Sequence, residues 1–88
     1  MNDVISFTKE ASTDYLYWRN QDKKTLKRIN KLIKETLRDP STGIGKPELL
    51  KENLAGFYSR RIDDTNRLVY TIDKKQITII SCRYHYIR

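Results

Sequence analysis

The spacing of apolar positions along this chain changes period twice, and the changes divide it into elements. Val4-Ile5-Ser6-Phe7 is short and β-rich, which predicts a first strand. Past Thr8, the residues Ala11, Tyr15 and Trp18 fall at three- and four-residue steps, one face of a helix. Thr8 offers a hydroxyl to cap that helix, and Glu10 puts a negative charge in its first turn. The apolar stripe is narrow and reads as core rather than as a platform for stacking bases. Asn20-Gln21-Asp22 breaks the pattern, and Asp22 is a good cap for a second helix. There Leu26, Ile29, Leu32, Ile33 and Leu37 repeat at helical steps. The helix should run to about Leu37, because Arg38-Asp39-Pro40 stops it. Two helices with so short a break predict an antiparallel helical hairpin.

Residues 40–48 form the longest irregular segment, holding both prolines and two of the three glycines. A loop of that length in a small domain is functional or disordered. Gly43-Ile44-Gly45-Lys46 lacks the spacing of a phosphate-binding loop and the hydroxyl after lysine. From Gly56 the period becomes two. Phe57 to Ile62 and Arg67 to Ile72 read as strands, separated by the turn-rich Asp63-Asp64-Thr65-Asn66. A second turn at Asp73-Lys74-Lys75 leads into a final strand from Ile77 that ends in a polar tail. The order strand, helix, helix, three strands predicts a single α+β domain over residues 1–88. In it the helical hairpin packs on one face of a small, mainly antiparallel, twisted sheet. The opposite sheet face is left concave, basic and wet.

Charge sharpens this picture. The 88 residues carry 18 Lys and Arg against 11 Asp and Glu, a net +7, which suits a polyanionic partner. The second helix shows Lys23, Lys24, Lys27, Arg28 and Lys31 on its polar faces. Such a face is either simply solvated or set against a phosphate backbone. Six tyrosines add flat faces on which bases can stack. One cysteine allows no intrachain disulfide and fits a reducing, cytoplasmic setting. The N-terminus reads as neither a signal peptide nor a membrane span.

The polar residues able to converge are Glu48, Lys51, Arg60, Arg61, Arg67, Arg83, His85 and Tyr86. One carboxylate and one imidazole among cations is what metal-free RNA cleavage needs. A base takes the proton of a ribose 2′-hydroxyl, an acid protonates the departing 5′-oxygen, and fixed cations hold the charge on the phosphorane. Surrounding cations keep Glu48 ionised, as a base requires, while weakening its basicity. His85 is the one side chain with an ordinary pKa near neutrality. A lone histidine without cysteines or paired carboxylates builds no metal site, so no metal or cofactor is expected. Strand parity sets a condition: Arg61 and Arg67 share a face only if the loop between their strands has an odd number of residues.

Several motifs are specific. Asp14-Tyr15-Leu16-Tyr17-Trp18, Gly45-Lys46-Pro47-Glu48, Leu50-Lys51, Gly56-Phe57, Ser59-Arg60-Arg61-Ile62, Arg67-Leu68-Val69-Tyr70 and Cys82-Arg83-Tyr84-His85-Tyr86 occur in order over nearly the whole chain. In these the chain resembles the YoeB (Txe) toxins of the RelE superfamily. The resemblance implies a RelE-like, microbial-ribonuclease-like fold. It implies a bacterial type II toxin that cleaves mRNA in the ribosomal A site and is neutralised by a YefM-like (Axe) antitoxin. Glu48 matches the family's general base, His85 its general acid and Arg67 the arginine that stabilises the transition state. Lys51 and Arg61 match the cations that hold the phosphate, Arg60 and Arg83 are further candidates for it, and Tyr86 matches the terminal tyrosine that places substrate. Leu49 and Tyr58 stand where the family has proline and tryptophan, and Ile87 and Arg88 extend past its terminal tyrosine.

Two other readings stay open on sequence alone. The same fold hosts toxins that poison by binding, of the gyrase-directed ParE kind, and fold does not fix function. DNA contact is expected only through a toxin–antitoxin complex in which this chain is corepressor. The family also makes a homodimer plausible, and no membrane association is expected.

Overall fold

The structure is a computed structural model, and it describes residues 4–85. Strand β1 (Val4–Phe7) leads into helices α1 (Lys9–Gln21) and α2 (Lys23–Arg38). A loop then reaches the two-residue strand β2 (Glu48–Leu49) and a 3₁₀ turn at Glu52–Leu54. Strands β3 (Tyr58–Arg61), β4 (Arg67–Asp73) and β5 (Gln76–Ser81) complete one five-stranded sheet in the order β1-β5-β4-β3-β2. β1 runs parallel to β5, and the other pairings are antiparallel. The α+β fold expected from the sequence is therefore present, with β2 and the 3₁₀ turn as additions that its pattern does not announce.

The caps explain the helical hairpin. The Thr8 hydroxyl accepts from the Ala11 amide at 3.1 Å and donates to the Ile80 carbonyl at 3.0 Å, so one residue starts α1 and ties it to β5. Asp22 ends α1 through its own N–H and starts α2 by accepting from the amides of Lys24 and Thr25. A single residue serving both helices leaves no room for a longer loop and turns the chain back on itself.

Antiparallel partners project to the same side of a sheet, so the ladder assigns the faces. Leu68, Tyr70, Ile77 and Ile79 point toward the helices and join Ala11, Trp18, Ile29 and Leu32 in one buried cluster. The loop of residues 62–66 has odd length, which meets the parity condition, and Arg61 lies directly opposite Arg67. Both therefore lie on the face away from the helices.

Arg60 is a correction to the sequence reading, which places it among the phosphate-binding cations. Adjacent strand residues face opposite ways, so Arg60 must point into the helix side when Arg61 points out. It is wholly buried. Its guanidinium donates to the carbonyls of Ile44 (2.8 Å), Thr42 (2.8 Å) and Asp39, and its Nε donates to the Tyr70 hydroxyl at 3.2 Å. The Tyr70 hydroxyl in turn donates to the Pro40 carbonyl at 2.6 Å. The irregular loop before Glu48 is thus ordered from beneath by one arginine. Gly45 completes the seat. Its φ of +83° suits glycine, a Cβ there would sit 2.8 Å from Leu32 Cδ2, and its carbonyl accepts from the Arg61 amide at 2.6 Å.

Candidate active site on the open sheet face

Glu48 pairs with Ser59, two residues along β3 from Arg61 and on the same face. Cross-strand diagonals of this kind put the two residues about 7–8 Å apart, within reach of a shared phosphate. Arg61 and Arg67 face each other directly, and like charges so placed are destabilising. Each also has local partners. Arg61 forms an ion pair with the exposed Asp64, and Arg67 Nη1 donates to the carbonyls of Asp63 (2.6 Å) and Asn66 (3.1 Å). An anion between the two guanidinia would relieve the repulsion. Glu48 and Lys51 are exposed, with Lys51 at the head of the 3₁₀ turn.

His85 arrives from the tail after β5. Arg67 Nη2 lies 3.2 Å from His85 Nε2. A guanidinium only donates, so this is a hydrogen bond when Nε2 accepts, with the imidazole proton on Nδ1. Side chains that the sequence reading gave no role at the site fix the tail. Cys82 N donates to Asp14 at 3.0 Å, and Trp18 Nε1 donates to the Cys82 carbonyl at 2.8 Å. Tyr84 N donates to Asn66 Oδ1 at 2.7 Å, and Arg67 N donates to the Tyr84 carbonyl at 2.8 Å. The Asp14 and Trp18 roles lie hidden in a motif that otherwise reads as core. Asn66 had a faint signal: asparagine closing an Asp-led turn hydrogen-bonds backbone readily.

Among the remaining site candidates, Arg83 stacks on rings, its guanidinium carbon 3.5 Å from the Tyr17 centroid and 4.7 Å from that of Tyr84. Lys23, Lys24, Lys27 and Lys31 are exposed along α2. Arg28 is half-buried and donates to the Arg61 carbonyl at 3.1 Å, fastening α2 to the end of β3. Tyr86 lies outside the described residues.

Asp63 anchors the turn beneath this site. Burial opposes its ionisation, but N–H groups of Thr65 and Asn66 and the nearby Arg67 charge outweigh that and hold its carboxyl below the usual value of 3.8. A carboxyl depressed by folding contributes stability above the unfolded pKa, and that stability is lost as pH falls through the folded one. Wild type should therefore lose stability on acidification below about pH 4, and Asp63→Asn should flatten that part of the profile. Urea melts across the acid range check this; parallel profiles for the two proteins would refute it.

Comparison with known proteins gives the class first: the structural likenesses are to small α+β toxins of the RelE-like fold. A sequence model described as the YoeB-like toxin of bacterial type II toxin–antitoxin systems matches residues 7–86, and the chain belongs to that family. The toxin YoeB of Synechocystis sp. is 58% identical over 84 residues, covering 96% of this chain and 98% of that protein. In a heterotetrameric YoeB–YefM toxin–antitoxin complex from Staphylococcus aureus, the matched chain is 50% identical with a TM-score of 0.87, covering 98% of this chain and 99% of that one. A YoeB dimer from the same organism is also 50% identical, with a TM-score of 0.88 and coverage of 98% and 100%.

Proposed function

We propose that this toxin is a ribosome-dependent endoribonuclease that cuts mRNA in the ribosomal A site by metal-independent acid–base catalysis. The observation that carries it is the joining of His85 to Arg67 on the sheet face that also bears Glu48 and Arg61. A toxin that acted by binding alone would need no such set.

In this reading Glu48 takes the proton of the ribose 2′-hydroxyl. The 2′-oxygen attacks the adjacent phosphorus and the P–O5′ bond breaks. Arg67, Arg61 and Lys51 stabilise the charge that gathers on the phosphate oxygens. His85 protonates the departing 5′-oxygen, leaving a 2′,3′-cyclic phosphate and a 5′-hydroxyl. The Arg67–His85 contact has a part in this. While Arg67 donates to Nε2, that nitrogen cannot carry a proton. An arriving phosphate draws the guanidinium to itself, and Nε2 is then available to be protonated beside the anion that needs it. Tyr86 is assigned to placing substrate. Lys23, Lys24, Lys27 and Lys31 are assigned to ribosomal RNA.

We assign neutralisation to a YefM-like antitoxin, on the S. aureus complex. Its acidic or apolar segment would lie over the basic face. A homodimer is proposed on the S. aureus dimer, operator DNA only through the antitoxin complex, and the cytoplasm as the place of action. Primer extension on mRNA threaded through purified ribosomes tests the reading. A cut within the A-site codon is expected with ribosomes, none without them, and the cut should survive chelator at the magnesium level ribosomes require. No cut from folded protein would turn the assignment toward a toxin that acts by binding.

A further inference from the structure

We infer that Asn66 is a positioning residue for His85: its amide clamps the tail so that the imidazole meets Arg67. The inference rests on the ribonuclease reading of the site. Asn66 is 8% exposed, in a turn whose neighbours Asp63, Asp64 and Thr65 are exposed. Its two side-chain ends do different work. Nδ2 donates to both carboxylate oxygens of Asp63, at 3.1 and 3.2 Å, which fixes which way the amide points. Oδ1, thereby turned outward, accepts from Tyr84 N at 2.7 Å. The carbonyl of the same residue, Tyr84, accepts from the Arg67 amide at 2.8 Å.

The residue just before His85 is therefore gripped on both sides of its backbone by Asn66 and Arg67, which are consecutive. Arg67 then reaches His85 with its side chain. The two groups proposed to serve the leaving oxygen and the phosphorane are set against each other by one short ring of bonds. The grip also holds a conformation that the chain would not choose. Tyr84 has a φ of +69°, in the left-handed region that non-glycine residues seldom adopt. Without Oδ1 the tail has cause to relax to an ordinary φ, and that rotation carries His85 away.

The chemistry of the leaving group separates positioning from simple loss of fold. An oxygen leaving group needs the proton that His85 supplies, whereas a sulfur at the same bridging 5′-position departs as a thiolate without one. The experiment compares single-turnover cleavage of ribosome-bound mRNA carrying either 5′-oxygen or 5′-sulfur at the cut position. Wild type, Asn66→Ala and His85→Gln are used at saturating toxin, with melting temperatures recorded. We expect Asn66→Ala to lose on the order of 10²-fold on the oxygen substrate, as misplacement by an ångström can do. On the sulfur substrate it should stay within about threefold of wild type. Equal losses on both substrates, or none on either, overturn the inference. His85→Gln sets the scale: a normal oxygen rate for it, or no cut by wild type, fails the ribonuclease reading and this inference with it. Asp63→Asn loosens the Nδ2 seat without emptying it. It should show the same divergence at smaller size, and it decides the matter if Asn66→Ala does not fold.

Discussion

His85→Gln and Glu48→Ala should each lower the proposed A-site cleavage by about 10²–10⁴-fold, the span expected when one proton-transfer group is removed. Neither change should weaken ribosome binding by more than about twofold, because binding is assigned to the lysines of α2 and to the basic face as a whole. Both residues are exposed, so little folding energy depends on either. The double variant should fall by less than the product of the two losses if base and acid act in one transition state. Cleavage by ribosome-bound mRNA assay and binding by ribosome co-sedimentation are the paired measurements. Normal cleavage by both variants would remove the proposed roles, and loss of binding in step with cleavage would mean that these residues hold the ribosome instead.

The order of elements was legible because both helices start on side-chain caps and both periods run clean. Thr8 and Asp22 can be read as caps from the sequence, and each makes its hydrogen bonds in the structure. β2 was not legible, since two residues carry no period, and its existence depends on Ser59 and Tyr58 across the ladder. The shared face of Arg61 and Arg67 was legible as a condition, waiting only on a loop length. The positions of His85 and Arg83 were not. They depend on Asp14, Trp18 and Asn66, which bond to the backbone of the tail. Backbone acceptors and donors are the same for every sequence, so beyond the faint turn signal of Asn66 these long-range contacts leave no pattern to read.

Arg60 shows the same limit from the other side, and it carries the largest expected effect on stability. Arg60→Ala should destabilise the domain by roughly 3–5 kcal/mol, the cost of opening a buried, charged hydrogen-bond network. Four partners lose their donor at once: the carbonyls of Asp39, Thr42 and Ile44, and the Tyr70 hydroxyl. Removing the charge relieves its own desolvation, but the loop carbonyls stay beneath the surface and the vacated volume is large. A domain of this length has only about 4–13 kcal/mol of total stability, so the variant stands near the threshold of folding. Its melting temperature should fall by roughly 12–40 °C. Lysine cannot rescue it, because one ammonium cannot reproduce the planar spread of the guanidinium donors. Tyr70→Phe removes the hydroxyl that links Arg60 to the Pro40 carbonyl and should cost about 1–2 kcal/mol. Because the clamped loop runs straight into Glu48, a surviving Arg60 variant should also cut slowly at temperatures where it is fully folded. Thermal melts followed by circular dichroism order the three variants. A melting temperature for Arg60→Ala within about 3 °C of wild type would show that the loop is held by something other than this arginine.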